Sequence, residues 1–165
     1  MKTFSFRKAG LALAAAAGLA TAALSGGVAQ AAYRLTSGEI RPFATAAPGG
    51  RHYETYGGIS GRAVMERDDD STWVSVEIDG LVPGVEYPVH VHNRPCAVNY
   101  AGDHYKQNTK GPSRPPNEIW PGPVTADRDG SAVGETTVPY VARASARSVV
   151  VHAPNGDRLA CADLG

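Results

Sequence analysis

From Tyr33 onward the chain breaks into short runs of alternating apolar and polar residues, and none of them holds the period of 3.6 that a helix needs. Thr72-Trp73-Val74-Ser75-Val76-Glu77-Ile78 is the clearest, alternating as a strand with one buried face should. Weaker runs span 33–46, 59–67, 86–92, 119–126, 131–138, 148–152 and 158–164. Turn residues punctuate them: Ala47-Pro48-Gly49-Gly50, Asp68-Asp69-Asp70 and Leu81-Val82-Pro83-Gly84. Asp127-Arg128-Asp129-Gly130 reads as a hairpin turn between the fifth and sixth runs. Eight short strands with regular turns predict an all-β domain, an eight-stranded sandwich or Greek-key barrel. One section resists the pattern. Asn93 to Pro116 is rich in Pro, Gly, Asn and Lys, and a loop that long inside a compact domain is usually functional.

The first residues follow a different rule. Lys2, Arg7 and Lys8 precede an apolar, alanine-rich run to about Leu24, and Ala29-Gln30-Ala31 supplies the small-x-small pattern of a cleavage site. Residues 1–31 therefore read as a signal peptide and 32–165 as one domain, secreted or periplasmic, with a retained anchor helix as the competing reading. Without the three leading cations, 13 basic side chains face 16 acidic ones. That balance offers no footprint for nucleic acid or an anionic membrane, and no later stretch approaches spanning length. Nothing in the sequence assigns an oligomeric state.

Both cysteines, Cys96 and Cys161, lie after the cleavage site. In an oxidising compartment such a pair usually forms a disulfide, the alternative being two free buried thiols. Four of the five histidines gather around the long section and the strands that border it. His90 and His92 stand at i and i+2, so both imidazoles project from one face. An isolated pair of this kind is more often a solvent-facing strand pair than a metal site. His104 follows Cys96 by eight residues and His152 precedes Cys161 by nine, so a disulfide would tie their segments together. Four nitrogen donors without a thiolate or carboxylate cluster favour one copper ion.

These residues resemble the copper/zinc superoxide dismutase family over about two-thirds of the domain. The likeness is carried by Gly80-Leu81-Val82-Pro83-Gly84, Tyr87-Pro88-Val89-His90-Val91-His92, Cys96 and Ala101-Gly102-Asp103-His104-Tyr105. It continues through Val124-Thr125-Ala126-Asp127 with Asp129-Gly130, Val149-Val150-Val151-His152-Ala153 and Gly156-Asp157-Arg158-Leu159-Ala160-Cys161. The resemblance implies an eight-stranded Greek-key barrel, a Cys96–Cys161 disulfide, and His90, His92 and His152 as copper ligands. It makes His104 the counterpart of the histidine that bridges copper and zinc, and Arg158 the arginine that docks superoxide. An always-charged fork beside a copper site suits an anion on physical grounds as well.

Two features depart from that family. No histidine lies between His104 and His152, so the usual zinc ligands are missing, and zinc is expected to be absent. The charged loop ahead of the arginine shrinks to Ala153-Pro154-Asn155-Gly156-Asp157, which predicts a more open site with weaker electrostatic focusing. Both features are similar to a copper-only branch, in which an acidic side chain steadies the fourth histidine. Glu118 is the candidate here, a solvated glutamate at a strand edge being the plain alternative. His52, in a Gly-rich turn region, matches no ligand. The implied activity is copper-dependent disproportionation of superoxide, with His104 releasing the metal and carrying a proton on reduction. The rival function is a non-catalytic copper-binding protein of the cell envelope using the same four histidines.

Overall fold

The computed structural model describes residues 34–43 and 58–165. The expected signal segment, both ends of the first predicted strand, the 47–50 turn and His52 lie outside the described residues. Nine strands follow one another: β1 (Leu35–Pro42), β2 (Ser60–Arg67), β3 (Thr72–Asp79), β4 (Glu86–Tyr87), β5 (Val89–His92), β6 (Val124–Thr125), β7 (Ala132–Val138), β8 (Ser148–His152) and β9 (Arg158–Asp163). Seven of them form an antiparallel sheet in the order β5-β8-β9-β1-β2-β3-β7, and β4 pairs with β6 in a separate ribbon. The chain leaves β3, next to one edge of the sheet, crosses to β5 at the far edge, and later returns to lay β7 beside β3. That crossing is the Greek key, and the curled sheet is the expected all-β barrel. Among the described residues no helix is long and apolar enough to cross a membrane.

Alternation explains which side chains enter the core. Val74, Val76 and Ile78 of β3 and Ala63 and Met65 of β2 are buried. Val89 and Val91 of β5 and all of β8 are buried as well. A fully buried Val, Ile or Met contributes roughly 1.5–3 kcal/mol, so these residues carry most of the barrel's cohesion, with Val150 packing on the outer side against Ala101 and Cys161. β1 changes partner along its length, pairing with β2 through Ile40 and with β9 at Arg41 and Pro42. The shift turns a corner between the two halves of the sheet.

Three expectations need correction. The predicted strand 86–92 is two strands, because Pro88 has no N–H for a ladder and sits where the partner changes from β6 to β8. The predicted strand 119–126 shrinks to Val124–Thr125 for the same reason, since Pro121 and Pro123 interrupt it. The 127–130 turn does form, closed by Asp127 N–H donating to Ser131 O at 2.8 Å. It does not make a hairpin, because β6 pairs with β4 while β7 pairs with β3. The residues ahead of β6 run along the open edge of β5 instead. Val91 N–H donates to Ile119 O at 2.9 Å, and Gly122 fits where a Cβ would come within 2.7 Å of Val89 N.

Candidate metal centre

Strand register builds the first half of the site. His90 and His92 lie opposite Val150 and Ser148 on β8, and His152 ends β8 where its pairing with β9 slips at a bulge. The slip re-aims His152 toward the β5 histidines, as bulges commonly do near functional sites. His104 arrives from the long loop. It forms an isolated bridge with His92, supported by Asn93 N–H to Asp103 O at 2.9 Å and Tyr105 N–H to Val91 O at 2.8 Å. The section that looked irregular in sequence is therefore pinned to β5 on both sides of His104. A 2.02 Å disulfide between Cys96 and Cys161 ties the same loop to β9.

The four imidazoles converge. One nitrogen from each of His90, His92, His104 and His152 lies within 4.8 Å of the other three. Ring centroids are 4.2 Å apart for His90–His104 and 5.4 Å for His92–His152. Backbone carbonyls decide which nitrogens remain free. His92 Nδ1 lies 3.2 Å from Gly102 O, and His152 Nδ1 lies 3.1 Å from Gly156 O. A carbonyl only accepts, so both Nδ1 atoms carry the proton and both Nε2 atoms present lone pairs. Those two Nε2 atoms face each other at 3.2 Å. His90 Nδ1 is buried without a hydrogen-bond partner. His104 Nδ1 lies 2.9 Å from Glu118 Oε2, which leaves its Nε2 unclaimed by that bond.

Burial keeps His90, His92 and His152 neutral. It lowers His90 from the ordinary 6.5 to about 3, with His104 and His152 adding repulsion. For His92 burial comes first, then His152 and His104, against the favourable Gly102 carbonyl, and the result is about 2. His152 is likewise held down to about 4, chiefly by burial. Neutral imidazole is the metal-binding form, so no proton need be displaced from these three near pH 7. Converging lone pairs, a partnerless buried nitrogen and three neutral imidazoles all fit a cation. Among the described residues no second group of three or more such donors converges.

Glu118 is 1% exposed and sits against His104, while its Oε1 lies 4.0 Å from Lys106 Nζ. The solvated-edge reading of this residue is overturned by its burial. Arg158 donates from Nη1 to Tyr100 O at 2.5 Å, and its charge reaches His92 and His152, where it further disfavours protonation. A groove of about 850 Å³ opens beside His104 and includes Arg94, Lys106, Arg143 and Arg158 in its wall. Arg94, Lys106 and Arg143 stand beside Arg158 in that wall although the 153–157 segment is short, and Asp103 and Glu118 in the same wall offset part of their charge.

Sequence reading missed one member of the site. Trp120 donates from Nε1 to Glu118 Oε2 at 2.9 Å, and its ring centroid lies 4.9 Å from that of His90. The available signal was its position two residues beyond Glu118 with the apolar Ile119 between them. Ile119 is fully buried, while Glu118 and Trp120 on either side of it meet His104 and His90.

Fold and site together define a disulfide-closed Greek-key β-barrel whose four-histidine cluster can hold a metal ion. Its fold is that of the copper/zinc superoxide dismutases. The structure is similar to a Cu/Zn superoxide dismutase from Brucella abortus, with a TM-score of 0.53 and 23% sequence identity, covering 79% of this chain and 99% of that one. No family sequence model and no curated protein matches the chain.

Proposed function

We propose that His90, His92, His104 and His152 hold one copper ion and that the protein disproportionates superoxide to dioxygen and hydrogen peroxide outside the cytoplasm. One observation carries the metal: two Nε2 lone pairs fixed face to face at 3.2 Å, a repulsive arrangement that a cation between them makes attractive. Four imidazoles with no thiolate in the cluster favour copper among first-row metals. The carboxylate on His104 Nδ1 occupies the nitrogen that would otherwise reach zinc, which supports a centre with copper alone. When bound, copper supplies the one-electron couple that accepts an electron from one superoxide and passes it to a second.

The protein's own groups supply the rest. Arg158, anchored on Tyr100 O and lining the groove beside His104, docks the anion through its remaining N–H donors. Glu118 fixes the tautomer of His104 and so directs its Nε2 into the cluster, where it can take and return a proton during turnover. The Cys96–Cys161 disulfide and the leader-like sequence pattern of residues 1–31 support an exported location.

The test is superoxide loss with the copper-loaded protein. Activity no greater than that of free copper, at one bound copper per chain, would refute the enzyme reading. Arg158→Ala separates it from copper storage: we expect copper affinity to hold within a factor of about two and dismutation to fall about tenfold. Storage has no use for Arg158, so equal dismutation rates would favour it.

A further inference from the structure

Ile119 is locked into the core and bonded to β5 through Val91, which fixes Glu118 and Trp120 on the histidine side of the same short segment. One oxygen, Glu118 Oε2, then accepts two donors: His104 Nδ1–H at 2.9 Å and Trp120 Nε1–H at 2.9 Å. The indole ring that supplies the second donor lies against His90, tilted by 45°. A single side chain therefore touches one histidine of β5 directly and the loop histidine through a shared carboxylate oxygen.

We propose that Trp120 is a positioning residue of the metal centre, holding Glu118 Oε2 on His104 with its N–H while its ring sets the orientation of His90. The chemistry requires something of this kind. A buried carboxylate is stable only when its lone pairs are met, and the other available partner is the Lys106 ammonium, 4.0 Å from Oε1. Without the indole donor the carboxylate is free to turn toward Lys106, which draws Oε2 away from His104. Phenylalanine would keep the packing on His90 and lose this bond. The distinction matters because His90 and His104 belong to different segments, and their rings lie 4.2 Å apart.

The inference rests on the reading of the four histidines as metal ligands, so its test has one arm that needs no metal. In the metal-free protein, the exchange of the His104 Nδ1 proton with water is measured by nitrogen-15 NMR for wild type, Trp120→Phe and Trp73→Phe. Trp73 lies on β3 with its indole bonded to Glu135, which makes it a control. We expect exchange to accelerate at least about tenfold in Trp120→Phe and to stay at the wild-type rate in Trp73→Phe. Equal rates in all three proteins would overturn the proposal. Should Trp120→Phe not fold, Glu118→Gln provides the same decision. Its Trp120 indole N–H signal should move away from the wild-type position, and an unmoved signal counts against the bond.

In the second arm copper(II) is added, and affinity and the electron paramagnetic resonance spectrum are recorded. Trp120→Phe should bind copper about tenfold more weakly with a changed hyperfine splitting, since partners that orient ligands are worth about 10–100-fold in affinity. Wild-type affinity with an unchanged spectrum would reduce Trp120 to packing. If the wild-type protein takes up no copper, the metal-centre reading fails, and the proton-exchange arm still decides whether Trp120 holds Glu118 on His104.

Discussion

Acid should destabilise the metal-free protein through its histidines before its carboxylates titrate. His92 and His152 are 0% and 5% exposed, and burial first, then neighbouring imidazoles and Arg158, hold them at about 2 and about 4 against an ordinary 6.5. As pH falls through 6.5 the unfolded chain takes up two protons that the folded chain refuses. Stability depends on the protons bound by the unfolded state minus those bound by the native state, so here it drops with falling pH. Each withheld proton costs about 1.4 kcal/mol per pH unit below 6.5, which gives about 2 kcal/mol per histidine by pH 5 and about 4 kcal/mol for the pair. His90 moves in the same direction but is more exposed, and solvent screening reduces its share. A domain stable by 5–15 kcal/mol would lose a large part of its margin.

The assay is denaturant unfolding of the metal-free, disulfide-intact protein at pH 7 and pH 5, compared with a His92→Gln/His152→Gln double variant. Wild type should show a marked fall in midpoint, and the double variant should show little. A wild-type midpoint that does not change, or an equal fall in both proteins, would refute the assignment of the missing protons to this cluster.

Three further outcomes follow from the geometry. Cys96→Ser opens a loop whose ends are 65 residues apart, and unfolding under non-reducing conditions should show a loss of about 4 kcal/mol, a loss below 1 kcal/mol contradicting this. Gly102→Ala places a Cβ 2.4 Å from Arg94 Cγ and Asn93 Oδ1 at a φ of +68°, displacing the carbonyl that orients His92. Titration with copper should show about 10–100-fold weaker binding by a protein that still folds. Glu118→Gln replaces the charged acceptor on His104, and dismutation at equal copper occupancy should fall about tenfold or more. Retention of the wild-type rate would show that His104 needs no anionic partner.

β2, β3 and β7 were legible because period two is a local property, and β8 and β9 because short β-branched or apolar runs bounded by turns read as strands buried on both faces; all five lie within a residue or two of their predicted bounds. Segments broken by proline were misjudged where Pro88, Pro121 and Pro123 sit inside apolar runs, since composition favours a strand and the missing N–H forbids the ladder. The same run looked like half of a hairpin. Turn chemistry at 127–130 is sufficient to reverse the chain, but which strand pairs with which is settled by the edges of the sheet. Within the site, His90 and His92 could be placed on one face from spacing alone. The approach of His152 depends on a bulge and that of Trp120 on an irregular segment outside any strand, and neither leaves a period to read. Glu118 was nominated by resemblance, but its burial against His104 is a tertiary fact.

Why histidines eight or nine residues from a cysteine should meet becomes clear from the carbonyls rather than the sulfurs. Residues Asn99, Tyr100 and Ala101 all adopt left-handed backbone angles, φ between 50° and 72°, ahead of Gly102. L-residues resist that conformation, so a run of them persists only where its surroundings hold it. Cys96 anchors the turn on one side and His104, bridged to His92, on the other. The tight turn exposes its carbonyls in two directions: Tyr100 O receives Arg158, and Gly102 O receives His92. On the opposite strand Cys161 follows Arg158 by three residues, and Gly156, just ahead of them, offers its carbonyl to His152. The sulfur bond thus joins the two segments that supply the orienting carbonyls. Cutting it would release the acceptors that keep both Nε2 lone pairs aimed at one point, so loss of metal affinity on reduction should exceed what the lost stability alone explains.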